Sequence, residues 1–224
     1  MKHEVHNVDC LDFLPTLPDG VAHAVIMDPP YTAAGGSTNG RTGVADTQFF
    51  EHWMRDVARE IRRVVRPDGC GFVFCDWRTA HVIASAFRAQ ANRMRGADWS
   101  ASQMLVWDRD AIGLGAPFRN AYEMIAFVRG PDWKSNLPRD IPTVIRHRWT
   151  YTAREYHGAE KPVALCRQLV RWALPNGGTV LDPFAGSGTV GVACKAESRS
   201  YIGMEINADD HATAQRRIAE SLGL

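Results

Sequence analysis

The stretch Thr179-Val180-Leu181-Asp182-Pro183-Phe184-Ala185-Gly186-Ser187-Gly188-Thr189 decides the fold. A short β-prone run meets an acid and a glycine turn, and Thr189 then opens a helical pattern reaching Ala196. Strand, glycine turn and helix start together form a ligand-binding corner of an open α/β sheet. Gly186 and Gly188 let the backbone approach a ligand closely. The next strand, Tyr201–Met204, runs into Glu205, seventeen residues after Gly188. An acid at that point can accept hydrogen bonds from ribose hydroxyls. The glycines alone do not choose the ligand, because Gly191 completes a dinucleotide-type GxGxxG spacing. The absence of a Walker lysine disfavours a phosphate loop. Asp182 would repel a pyrophosphate but suits a cationic methionine tail, which points to S-adenosylmethionine.

Outward from this corner, short apolar runs alternate with helical patterns. Glu4–Val8, Ala24–Met27, Gly71–Cys75, Gln103–Trp107 and Glu123–Val128 read as strands, the last two as a hairpin-like pair. Phe49, Phe50, Trp53, Val57, Ile61 and Val64 recur at helical spacing, and Arg66-Pro67-Asp68-Gly69 reads as the turn that ends this helix. Ala80–Ala91, Pro162–Ala173, Thr189–Ala196 and a segment from about Ala208 complete the helices. The pattern predicts an open, largely parallel sheet with helices on both faces. There is no internal repeat, and residues 1–224 read as a single domain. From Gly130 to His157 the chain is rich in Pro, Arg, Trp and Tyr and has no clear period.

A second chemical element lies near the start. Asp28-Pro29-Pro30-Tyr31 follows a strand, where a doubly wound sheet places its ligands. The two prolines stiffen the backbone, so a carbonyl can be held facing a target. The amine of a nucleobase is a poor nucleophile because its lone pair is delocalised into the ring. A carboxylate and a carbonyl accepting its two hydrogens favour a pyramidal nitrogen and stabilise developing positive charge. Tyr31 offers a stacking face for a base extruded from the duplex. The Gly-, Ser- and Thr-rich loop Ala33–Thr42 is expected to order over that nucleotide. There is no Pro-Cys dipeptide to supply a thiol nucleophile for cytosine C5.

Bulk properties narrow the classes. The formal charge of +1 means that any nucleic-acid surface must be a local patch. No run of about 18 apolar residues suggests a membrane span, and the first residues lack the apolar core of a signal peptide. Cys10, Cys70, Cys75, Cys166 and Cys194 are scattered with no CxxC pair, so neither disulfides nor a metal site is expected. A reduced cytoplasmic setting follows, with Cys70 and Cys75 as core residues.

These motifs, in this order, resemble the β-class amino-methyltransferases of DNA, in which the catalytic motif precedes the cofactor motif. The resemblance spans nearly the whole chain. Val8-Asp9-Cys10-Leu11 is similar to the family's opening motif, whose acid lies near the cofactor adenine, with Val8 where a Gly is usual. Asp28–Tyr31 matches the catalytic motif, and Leu105-Val106-Trp107-Asp108 with Arg119-Asn120-Ala121-Tyr122-Glu123 resembles a later hairpin. His157-Gly158-Ala159-Glu160-Lys161-Pro162 is similar to the family's HPxEKP segment, with Gly158 replacing Pro. The resemblance implies a permuted Rossmann-like seven-stranded methyltransferase sheet with helices on both faces. It implies Asp28, Pro29, Pro30 and Tyr31 as catalytic residues. The implied cofactor set is Asp9, Cys10, Asp28, His157, Lys161, Pro162, Asp182, Pro183, Phe184, Gly186, Ser187, Gly188, Thr189, Glu205 and Ile206. An Asp-led motif implies adenine N6 more often than cytosine N4, for which a Ser-led motif is commoner. The implied partner is double-stranded DNA, with room for a second copy of the chain and a cognate restriction enzyme.

Between Arg129 and Arg171 lie nine Lys or Arg against four Asp or Glu, a local excess that phosphate contacts require. Arg139, Arg146, Arg148 and Arg154 are the candidate DNA contacts, and 131–156 the candidate target-recognition segment. The aromatics there, Trp133, Trp149, Tyr151 and Tyr156, suit a packed structural role equally well. The early helix arginines (Arg55, Arg59, Arg62, Arg63, Arg66) read as a solvated face. Three other readings stand beside this one. An RNA methyltransferase would prefer single strands with 2′-hydroxyls. A protein-amide enzyme would carry Asn in place of Asp28. A DNA-binding regulator without activity would not need Asp28, Tyr31 and Asp182 intact.

Overall fold

Side chains alternate across the central strands and divide the core into two layers. Val25 and Met27 face one layer while Ala24 and Ile26 face the other, all fully buried. The computed structural model describes residues 1–30, 47–88, 99–113, 117–149, 160–175 and 177–221. Its strands are β1 (His3–Asn7), β2 (Ala22–Met27), β3 (Val65–Cys75), β4 (Ser100–Asp108), β5 (Tyr122–Arg129), β6 (Val144–Arg146), β7 (Thr179–Asp182) and β8 (Ser200–Glu205). Its helices are α1 (Cys10–Phe13), α2 (Thr47–Val64), α3 (Ala80–Arg88), α4 (Val163–Ala173), α5 (Thr189–Ala196) and α6 (Ala208–Glu220).

The strands form one sheet in the order β1-β8-β7-β2-β3-β5-β4-β6. From β1 to β3 all pairings are parallel; β5 runs antiparallel to both β3 and β4, and β6 is parallel to β4. Residues of α2 and α3 pack into one core layer, and residues of α4, α5 and α6 into the other. The chain leaves β2 toward α2 on the first face and leaves β7 toward α5 on the second. The neighbours β2 and β7 therefore part at their C-terminal ends. A crevice at such a switch point is where open α/β sheets bind ligands.

The α/β sheet with helices on both faces is as expected, but eight strands are present among the described residues where seven were expected. The addition is β6, which extends the sheet edge beside β4 through Val106–Val144, Trp107–Ile145 and Asp108–Arg146. Only Ile145 of its three residues is buried, so it carries no readable alternation. A second difference concerns Arg66-Pro67-Asp68-Gly69. Helix α2 ends at Val64, as the pattern suggested, but β3 begins at once at Val65 and the Pro67–Gly69 turn lies inside it. Pairing to β2 jumps from Ala22–Val65 to Ala24–Cys70, so the turn is a large bulge. Of the Ala80–Ala91 helix, residues up to Arg88 are described.

Tight backbone packing holds β2 in place. A Cβ at Gly71 would lie 2.5 Å from the Val25 carbonyl oxygen, so only glycine lets these strands pair there. Tryptophans from the unpatterned segment join the same core. Trp133 packs edge-on to Phe127 at 5.2 Å, and both Trp133 and Trp149 pack against the second layer.

Candidate active site

Asp28 directly follows β2, and Asp182 ends β7, the adjacent strand. The sheet thus brings the two acids of the sequence motifs to one crevice. Asp28 is half-buried, Pro29 buried and Pro30 half-buried. Tyr31, His157, Arg154 and the loop Ala33–Thr42 lie outside the described residues.

The ammonium of Lys161 sits 2.6 Å from Asp28 Oδ2 and 3.2 Å from Glu123 Oε2. Lys161 is buried, and its Nζ also lies 5.1 Å from the Phe74 ring centroid. Burial alone would push its pKa down; the carboxylates of Asp28 and Glu123 more than reverse this and hold it above the ordinary lysine value. Glu123 is backed on its other oxygen by Arg109, whose Nη1 is 3.6 Å from Oε1. Arg109 in turn donates from Nη2 to the Asn120 carbonyl at 2.7 Å and lies over Trp149. The charged end of Lys161, a residue of the implied cofactor set, thus meets Asp28, which belongs to both implied sets.

The glycine turn is held from three directions. Gly186 N–H donates to Glu205 Oε2 at 2.8 Å, and Asn207 N–H to Glu205 Oε1 at 2.8 Å. Glu205 therefore fixes the turn while its remaining lone pairs can still accept. Arg217, from α6, donates from Nη1 to the Ser187 carbonyl at 2.8 Å and to Ser187 Oγ at 2.7 Å. Its other end pairs with Glu160, and Thr189 Oγ1 lies 3.4 Å from the same Glu160 oxygen. Gly186 (φ 51°) and Gly188 (φ 83°) are both left-handed. Among the described residues a Cβ at Gly186 would meet nothing within 4 Å, so the turn is uncovered there by any of them. At Gly188 a Cβ would meet Ala214 at 2.8 Å, which explains glycine by helix packing.

Asp182 is buried and accepts from Tyr201 Oη at 2.9 Å and from Phe184 N–H at 3.1 Å. Burial pushes its pKa up to about 7, although both hydrogen bonds oppose that. Pro183, Ser187 and Thr189 are buried and Phe184 is half-buried, its ring 5.4 Å from that of Trp53. Asp9 caps α1 by accepting from Leu11 N–H at 2.8 Å, next to buried Cys10. Pro162 is the N-cap of α4, and Ile206 is exposed just beyond Glu205.

Arg139, Arg146 and Arg148 are exposed, and Arg146 pairs with Asp108 at 3.0 Å. Of the arginines read as an early helix face, Arg55 pairs with Glu51 and Arg59 with Asp56 on α2, while Arg66, which lies in β3, pairs with Asp68. Arg63 binds Asp19, Glu60 and the carbonyls of Leu14 and Leu17, tying α2 to the first connection. Sequence reasoning did not single out Glu123, Arg109, Glu160 or Arg217 as site residues. Glu123 and Glu160 stood within quoted motifs, but nothing local marked Arg217.

Two acids thus lie at the switch point of the sheet, one before a glycine turn and one opening Asp-Pro-Pro, where open α/β sheets bind ligands. Residues 22–216 match the DNA methylase family of N6 and N4 amino-methyltransferases, and the chain belongs to it. Among its relatives, the DNA adenine methyltransferase YhdJ of Escherichia coli (strain K12) is 26% identical over 94% of this chain and 80% of that protein. The type II methyltransferase M.HhaII of Haemophilus parahaemolyticus is 24% identical over 92% and 91%. In structure, the chain is similar to the M1.HpyAVI–SAM complex (TM-score 0.74, 21% identity, 97% of this chain and 99% of that one). It is also similar to the cytosine-N4-specific PvuII DNA methyltransferase (TM-score 0.77, 17% identity, 97% and 86%).

Proposed function

We propose that this DNA methyltransferase transfers a methyl group from S-adenosylmethionine to the exocyclic N6 of adenine in double-stranded DNA. The observation that carries the reading is Asp28, an acid and not a serine, following β2 next to the strand that ends in Asp182. YhdJ, named for adenine, supports the same base. The residues present suit the cofactor. No described residue covers Gly186, the acids Asp182 and Glu205 flank it, and the turn contains no lysine that would select a phosphate. Asp182 would face the cationic methionine portion and Glu205 the ribose hydroxyls. Asp9, Cys10, Phe184 and Ile206 would line the adenine end.

S-adenosylmethionine supplies an electrophilic methyl group on a sulfonium. The protein's task is to make the amine a better nucleophile. Asp28 accepts one amine hydrogen and a carbonyl of the proline pair the other, which frees the nitrogen lone pair from the ring. Tyr31 stacks on the base, which must leave the duplex to reach the crevice. Arg139, Arg146, Arg148 and Arg154, in the 131–156 segment, contact DNA. Among the described residues no helix is long and apolar enough to cross a membrane, which is compatible with work in the cytoplasm. M.HhaII is a type II enzyme, so a cognate nuclease is a partner to seek, as is a second copy of this chain.

The test is to incubate the protein with plasmid DNA and S-adenosylmethionine, digest to nucleosides and analyse by mass spectrometry. N6-methyladenine is expected; N4-methylcytosine alone would overturn the choice of base, and neither would overturn the activity.

Cofactor affinity should depend on pH through Asp182. With its pKa near 7, the acid is largely neutral at about pH 6 and largely ionised at about pH 8. A cationic ligand prefers the ionised form, so calorimetry should find affinity rising across that range and then levelling. Folding responds with the opposite sign. The folded pKa exceeds the unfolded one, so the native state holds the extra proton, and stability falls as pH climbs from about 4 to about 7. Asp182→Asn should flatten both trends; an unchanged pH dependence of affinity would remove Asp182 from the cofactor site.

A further inference from the structure

Lys161 creates a difficulty for the proposed chemistry. Methyl transfer needs negative charge at Asp28, yet an ammonium lies 2.6 Å from its Oδ2. A buried lysine paired with Asp28 alone would cancel that charge at the place where the amine becomes positive. The second carboxylate resolves this. Glu123 Oε2, 3.2 Å from the same Nζ, brings the local sum of Asp28, Lys161 and Glu123 to one negative charge. The compensating cation, Arg109, approaches the far oxygen of Glu123 at 3.6 Å and is held there by the Asn120 carbonyl and the Trp149 ring. Glu123 comes from β5, the antiparallel neighbour of β3, where Met124 pairs with Cys75 at the strand end. The hairpin β4–β5 is thus built into the catalytic edge of the sheet.

We propose that Glu123 is a positioning residue for methyl transfer: by sharing the Lys161 ammonium with Asp28, it keeps the Asp28 carboxylate negative toward the target amine. Lys161 fixes the carboxylate's orientation, Glu123 limits how far it neutralises it, and Arg109 keeps Glu123 aimed inward. This rests on the reading that Asp28 accepts the amine, and the test separates the two.

The experiment measures single-turnover and steady-state methyl transfer by the full chain at saturating S-adenosylmethionine, for wild type, Glu123→Gln, and Glu123→Gln combined with Lys161→Met. Glutamine has the same shape and can still accept from Lys161, so folding and cofactor KM should hold. The kcat should drop by about 10–100-fold, less than the roughly 10²–10³-fold cost of deleting a group aimed at the reacting atoms, because Glu123 acts through Lys161. Adding Lys161→Met removes the uncompensated ammonium and should recover part of that loss. A structural role predicts the reverse, a further decrease. Should Glu123→Gln not fold, Lys161→Met alone decides. Two carboxylates then share a site without their cation, and the acid limb of the kcat–pH profile should move upward by about one pH unit. Wild-type kcat in Glu123→Gln, no recovery in the double variant, or an unmoved acid limb in Lys161→Met would each overturn the proposal. An inactive wild type would instead overturn the function on which it rests.

Discussion

Asp28→Ala is expected to abolish detectable methyl transfer while cofactor affinity stays within about twofold of wild type. The loss should be at least about 10²–10³-fold in kcat, the cost of deleting a preorganised group aimed at developing charge. Three features of the site make this variant clean. Asp28 follows a strand whose own side chains, Val25, Ile26 and Met27, are fully buried and untouched. Lys161 keeps Glu123 as a partner at 3.2 Å, so no buried cation is orphaned. The glycine turn is held by Glu205 and Arg217, neither of which depends on Asp28. Transfer rates and calorimetry on one preparation provide the check. Turnover near wild type would mean that another group receives the amine, and a parallel loss of cofactor binding would mean that Asp28 holds the cofactor as well.

Arg217→Ala should give the largest loss of stability. Arg217 and Glu160 form an ion pair with side chains only 9% and 7% exposed, and removing one partner leaves the other charge buried. Breaking such a pair typically costs about 3–5 kcal/mol. For a chain of this size that corresponds to a drop of roughly 6–20 °C in Tm. Function should suffer as well, because the Ser187 carbonyl and hydroxyl lose their anchor on α6. Glu160→Gln with Arg217→Met removes both charges and should melt well above Arg217→Ala. If Arg217→Ala melts within a degree or two of wild type, water reaches the pair and it is no keystone of the turn.

How legible was all this in the residues alone? Alternation and helical spacing are local properties, so Thr189–Ala196 emerges with both ends as read, and Asp28 and Asp182 fall at strand ends as the motifs suggested. Two local features escaped. Val144–Arg146 is too short to carry a period, and its pairing to β4 is visible only in three dimensions. The Pro67–Gly69 turn was recognised, but a turn sequence cannot say whether it precedes a strand or bulges out of one. The ionic partnerships were the least legible. Lys161 meets Asp28 across 133 residues and Arg217 meets Glu160 across 57, and no spacing rule connects such pairs. The resemblance named Lys161 by position, but its contacts with Asp28 and Glu123 come only from the fold.

The long separation between the two halves of the crevice also has a consequence for how the protein is made. Asp28 leaves the ribosome well before Lys161 does, and at typical elongation rates of about 5–20 residues per second the wait is roughly 7–27 s. During that interval β2 can pair with β3 but not with β7, which has yet to be synthesised. Its edge toward β7, a row of unpaired N–H and C=O groups, is then open in the nascent chain, the kind of surface that recruits other chains. Slow stretches of translation between β3 and β7 would prolong that exposure, so yield in a host should respond to synonymous codon choice there even though the finished molecule is unchanged.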